Sequence, residues 1–134
     1  MALNFPDVGE NLALEAVVGK TNATALTVRL YKSNTTPSDS DTAATYTEST
    51  FTGYNAATQG ALTAGTWGAA SGGTITYGAQ LTYTCSGASS ESVYGYYVTN
   101  AGGVLLYSER DASAPFAIAN SGDAVKLTPT ISAN

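Results

Sequence analysis

Few side chains in this sequence can move a proton, attack an electrophile or hold a metal. There is no histidine. That removes the commonest general base and metal ligand, and with it the Ser-His-Asp and Cys-His arrangements. A single cysteine, Cys85, excludes an internal disulfide and thiolate zinc chemistry. It ends the run Leu81-Thr-Tyr-Thr-Cys on the parity of Leu81 and Tyr83, so it reads as a small buried hydrophobe. Carboxylates are left. Paired acids for glycoside hydrolysis must face each other across a cleft, yet Asp7, Asp39, Asp41, Asp111 and Asp123 fall in predicted turns. Asp39-Ser40-Asp41 has the spacing of two calcium ligands but lacks the further acids and the closing Glu of an EF-hand loop, so it reads as a solvated loop. Gly53, Gly72-Gly73 and Gly102-Gly103 are not followed by a helix carrying Lys-Ser/Thr. They read as turns, not phosphate loops. No catalytic residue, cofactor or metal is expected, and the chain is not expected to be an enzyme.

The tyrosines are the more informative group. There are nine, with Tyr94, Tyr96 and Tyr97 close together. One reading puts Tyr94, Tyr96 and Val98 on a single sheet face as core, with hydroxyls reaching the rim. The others are a protein interface, where Tyr is enriched, or a stacking strip for sugar. Glu109-Arg110-Asp111 reads as a local ion-pair cluster, or as an arginine available to a subunit contact.

The elements that must position these residues are mostly strands. Val93–Thr99 and Val104–Glu109 are aromatic and β-branched runs separated by Asn100 to Gly103, which predicts a hairpin. Ala25 to Ser33 alternates, with Leu26, Val28 and Leu30 inward and Thr27, Arg29 and Tyr31 outward. Gln80–Ser86 and Thr74–Tyr77 read as further strands, the latter after a turn at Gly72-Gly73. The last segment, Gly122 to Ser132, places Val125, Leu127, Pro129 and Ile131 on one parity. Ala61-Leu62 and Thr66-Trp67 are weaker strand candidates. Around Thr45–Tyr54 a short helix or turn leads to a strand at Thr52–Asn55. Gly9 to Gly19 reads as a short helix with Gly19 as its cap, although Leu12, Leu14 and Ala16 also alternate as a strand would. Phe5-Pro6 favours extended backbone before it. The fold expected is all-β: an antiparallel β-sandwich, jelly-roll-like, with one short N-terminal helix. Residues 1–8 form an N-terminal arm, and 9–134 a single β-sandwich domain.

The totals exclude several partner classes. The chain has 134 residues and a net charge of −5. Its five basic residues, Lys20, Arg29, Lys32, Arg110 and Lys126, are scattered, so no nucleic-acid backbone and no anionic membrane surface is an expected partner. The sequence lacks an 18-residue apolar run and a basic, apolar secretion signal at its start, so assembly in a cytoplasm is expected. Asn22-Ala-Thr and Asn34-Thr-Thr are then chance matches to a glycosylation pattern.

Several segments occur together in a familiar order. They are Leu30-Tyr-Lys-Ser-Asn-Thr-Thr-Pro37, Tyr46-Thr-Glu48 with Gly53-Tyr54, the lone Trp67, Val93-Tyr-Gly-Tyr-Tyr-Val98, Leu105-Leu-Tyr-Ser-Glu-Arg110 and Gly122 to Ser132. From about residue 9 onward the chain resembles small structural proteins of tailed bacteriophages. The resemblance implies a virion component, most simply a head decoration (cement) protein that is trimeric and binds the major capsid protein. Leu3, Phe5 and Val8 would dock to a neighbour, with Tyr94, Tyr96, Tyr97 and Arg110 as further interface residues. A neck or tail component, or a carbohydrate-binding receptor tip, is the alternative.

Overall fold

The computed structural model describes residues 3–20 and 25–133. The expectations on Met1, Ala2, the Asn22 motif and Asn134 lie outside the described residues. In chain order the elements are β1 (Leu3–Asn4), α1 (Asp7–Val17), β2 (Thr27–Tyr31), α2 (Ala56–Gln59), β3 (Thr74–Thr76), β4 (Leu81–Thr84), β5 (Glu91–Val93), β6 (Gly95–Thr99), β7 (Leu105–Arg110), β8 (Phe116–Ile118), β9 (Ala124–Leu127) and β10 (Thr130–Ser132). Single 3-10 turns lie at Ala43–Thr45 and Ala64–Thr66. The body is β-rich and antiparallel, with one helix longer than a turn. A four-stranded sheet runs β1-β7-β6-β2, and the other strands form two-stranded ribbons: β10 with β3, β4 with β9, and β5 with β8.

The β6–β7 hairpin forms where the turn chemistry places it. Gly103 takes φ +78°, a left-handed conformation that glycine adopts without a Cβ penalty. The Asn100 side chain accepts from the Val104 amide at 2.9 Å. The run Val93–Thr99 is not one strand, however. Tyr94 breaks it, because its amide donates to the Tyr31 carbonyl while Val93 pairs with Phe116. The C-terminal run likewise divides at buried Pro129, with β9 pairing with β4 and β10 with β3. No strand forms at Thr52–Asn55; Thr52 and Gly53 lie in a turn, and α2 follows from Ala56.

The alternation in β2 is correct, but its second face is not wet. Val28 and Leu30 enter the main core with Tyr83, Val98 and Tyr107. Tyr31, read as outward, is fully buried in a second cluster with Tyr46, Tyr97 and Leu105. The segment after β2 folds back over that face and inserts Tyr46, whose ring stacks on Tyr97 at 5.1 Å. Period two reports alternation; it does not report what covers each side.

β2 would also be an open edge, yet the hydrogen-bonding groups of its outer side are matched. The amides of Val28 and Lys32 donate to the carbonyls of Gly60 and Thr47, and the carbonyls of Leu26 and Leu30 accept from Leu62 and Ser49. Tyrosine hydroxyls fill the two gaps. Tyr83 donates to the Val28 carbonyl at 2.8 Å, and Tyr54 accepts from the Leu30 amide at 3.1 Å.

Residues 3–8 are not a detached arm. Leu3 and Asn4 pair with Glu109 and Ser108, the Phe5 ring lies 5.4 Å from that of Tyr107, and α1 begins at Asp7, ahead of the expected boundary. Helix α1 ends as its sequence suggests. Gly19 (φ +73°) reverses the chain, with its amide on the Ala16 carbonyl and the Lys20 amide on Glu15, the paired bonds of a Schellman cap. The helix meets β7 at Gly9, where a Cβ would stand 1.9 Å from the Leu106 carbonyl oxygen. Gly9→Ala is therefore expected to cost roughly 3 kcal/mol in urea unfolding, because backbone must move to admit one methyl group. A stability change near zero would mean that α1 does not pack on β7 this way.

Candidate functional site

Seven residues were expected at an interface, and the structure distributes them over three places. Leu3 and Phe5 are half-buried on the main core, and Val8 packs on the tyrosine cluster. Tyr97 is buried and offers nothing to a partner. Tyr94 lies under Arg110, whose guanidinium carbon stands 5.1 Å from the ring centre. Arg110 also donates to the Thr35 carbonyl (3.1 Å) and the Asn34 side chain (2.8 Å). It holds the loop after β2 and makes no ion pair with Glu109 or Asp111. Strand alternation sends Arg110 to the opposite face from both acids, so the expected ion-pair cluster does not form.

Tyr96 is different. It pairs across the sheet with Glu109, and its hydroxyl donates to the Glu109 carboxylate. Both line a cleft of about 250 Å³ together with Asp111, Phe116 and residues 124–128, over a floor that includes Leu30 and Val93. The cleft combines apolar walls with two carboxylates that have no cationic partner among the described residues. Lys126 is the one cation lining it. A second groove, about 370 Å³, is lined by Leu26, Leu62, Trp67, Ile75 and Ile131 among others, with no charged side chain among the described residues. Trp67 packs edge-on against Tyr77 there. A sugar site needs polar groups beside its stacking ring, and the described residues lining this groove supply none from their side chains.

Other acids are committed to structure. Asp41, read as part of a solvated loop, is buried. It accepts from the Tyr46 hydroxyl (2.6 Å), the Ser38 amide (2.9 Å) and the Ser38 hydroxyl (2.8 Å). Burial alone would raise its pKa, but these donors outweigh that and hold it below the ordinary value. Glu91 behaves alike: burial pushes it up, and the Thr50 amide and Lys32 pull it further down. Glu48 joins Arg29 (3.0 Å) and the Tyr54 hydroxyl (3.0 Å) beside the edge of β2. Cys85 is buried as expected. Among the described residues no cluster of His, Cys, Asp and Glu suits a metal ion, and no helix is long and apolar enough to cross a membrane.

One apolar surface lies outside the seven residues expected at an interface. Leu14, Val17 and Val18 are 65%, 83% and 76% exposed, while Leu12 of the same helix is buried. The signal was present: positions 14, 17 and 18 have the i, i+3, i+4 spacing of one helix face, opposite the face of Leu12.

Stability should depend on pH at both ends. Asp41 and Glu91 have lowered folded pKa values, so their contribution is present above the unfolded values and is lost as pH falls through the folded ones. Burial pushes Tyr31 and Tyr97 up to about 12, and raises Tyr46, Tyr54, Tyr83, Tyr96 and Tyr107 as well. For these the unfolded chain releases protons first, so stability falls as pH rises above about 10. Tyrosinate absorbance and circular dichroism should therefore change together in one steep alkaline transition. Ionisation of most tyrosines in a still-folded protein would contradict the described burial.

The sequence, compared with protein-family models and with curated proteins, gives no match.

Proposed function

We propose that this chain is a structural protein of a bacteriophage virion, a decoration or cement protein that binds the major capsid shell and stabilises it by covering surface. The observation that carries the reading is the apolar face of α1. Leu14, Val17 and Val18 stand in solvent on a helix whose other side is anchored through Leu12 and the Gly9 contact with β7. A soluble body that leaves such a face uncovered has reason to meet another protein there. Val104 and Phe116 add further exposed apolar surface. The docking residues thus move from Leu3, Phe5 and Val8, which serve the body's own core, to the outer side of the helix that follows them.

Three further points support the proposal. The sequence resembles small virion proteins of tailed phages over most of its length. It contains no histidine, and the acids Asp41, Glu48 and Glu91 are engaged in holding loops. The β4–β9 and β5–β8 ribbons pack with the four-stranded sheet around one core, which suits the jelly-roll-like sandwich. A specific contact buries about 1,600 Å², and repetition over a shell multiplies its effect.

The test is binding of the tagged protein to purified heads of the encoding phage that lack it. The wild type should sediment with heads, and the isolated protein should be a trimer by light scattering. The combined variant Leu14→Glu, Val17→Glu, Val18→Glu should lower occupancy roughly tenfold or more while leaving stability within about 1 kcal/mol, since exposed positions away from packing tolerate exchange. Heads that never bind the wild type, or bind the variant equally, would reject the proposal.

A further inference from the structure

A strand edge runs along the cleft beside Tyr96. β9 pairs with β4 in the register Leu81↔Leu127, Thr82↔Lys126, Tyr83↔Val125 and Thr84↔Ala124. Just beyond, the Cys85 amide donates to the Asp123 carbonyl at 2.7 Å. Antiparallel pairs alternate between hydrogen-bonded and non-hydrogen-bonded. With 85 and 123 bonded, Tyr83 with Val125 and Leu81 with Leu127 are the bonded pairs. The N–H and C=O groups of Ala124 and Lys126 therefore point away from β4. They make no hydrogen bond to any described residue, and both residues are exposed.

Unlike β2, this edge is left open, and residues 124–128 line the cleft continuously. A free edge is a template for one more strand. The surroundings specify which kind. Phe116 and Tyr96 supply apolar and aromatic surface, and Glu109 and Asp111 supply two carboxylates against the single ammonium of Lys126. An added strand whose alternate side chains enter the cleft would place an apolar residue against Phe116 and a cationic one near the two acids.

We infer that the β9 edge is a docking site for an extended segment of a partner protein that carries a lysine or arginine among apolar residues. The segment adds to the β4–β9 ribbon by backbone hydrogen bonds and places its cation between Glu109 and Asp111. This inference stands on the cleft alone. An intact peptide site with no head binding would reject only the virion proposal, and the reverse result only this one.

The probe is a capped heptapeptide of alternating valine and threonine with lysine at its centre, titrated into the ¹⁵N-labelled full chain. Saturable shifts are expected at the amides of Ala124, Lys126 and Thr128. The same peptide with central glutamate should bind roughly tenfold more weakly, and one N-methylated along its bonding edge should not bind. Lys126→Pro removes the outward N–H at a position where a strand edge tolerates proline, and it should abolish binding. Lys126→Ala keeps that N–H and should retain binding. The N-methylated peptide makes the same test on wild-type protein should the proline variant unfold. Several results would overturn the inference: no shift at about 1 mM lysine peptide, equal affinity for the lysine and glutamate peptides, unaltered binding by Lys126→Pro, or a dimer of the chain itself that Lys126→Pro dissolves.

Discussion

The outer edge of β2 is the constraint on which the rest of the fold depends. An edge strand covered on both faces has no water for its backbone, so each N–H and C=O must find a partner in the protein. No single neighbouring strand does this for β2. Two chain segments, around residues 47–49 and 60–62, supply part of the ladder, and the hydroxyls of Tyr54 and Tyr83 complete it. That arrangement dictates much else. Gly60 must be glycine, since a Cβ there would stand 2.0 Å from the Val28 carbonyl oxygen and 2.6 Å from the Tyr83 hydroxyl. β4 must bring Tyr83 beneath β2, and Glu48 must lie where it can accept from both Arg29 and Tyr54.

The abundance of tyrosine then has a structural explanation. Tyrosine offers a large apolar ring with a polar tip, and this body uses the tips as internal connectors. Tyr46 links Asp41 to Ser108, Tyr77 accepts from the Thr63 amide, and Tyr83 closes β2. Tyr31 and Tyr97 fill the second face of the same sheet. Six of the nine tyrosines are accordingly buried, Tyr97 among them, while Tyr94 and Tyr96 are half-buried.

Patterns local to a few residues were legible in the sequence. The alternation at Leu26, Val28 and Leu30, the Asn100–Gly103 turn, the glycine cap of α1 and the buried parity of Leu81, Tyr83 and Cys85 all depend on near neighbours. What could not be read depends on distant chain. Tyr31 looks outward until Tyr46 is brought over it. Arg110 looks like a partner for its acidic neighbours until the loop at Asn34 and Thr35 is placed beside it. Residues 3–8 look like an arm until Leu3 is set against Glu109. The stripe of α1 is legible as apolar spacing, but its exposure is not, because an apolar helix face carries no mark of whether it turns inward or outward.

The outer edge of β2 is closed from within, whereas the outer edge of β9 is left open. Native-state hydrogen exchange on the isolated chain compares the two edges directly. The amides of Val28, Leu30 and Lys32 should exchange only on global or near-global unfolding, whereas those of Ala124 and Lys126 should exchange at close to unprotected rates. Strong protection at Lys126 in the isolated protein, or rapid exchange at Leu30, would contradict this difference between the two edges.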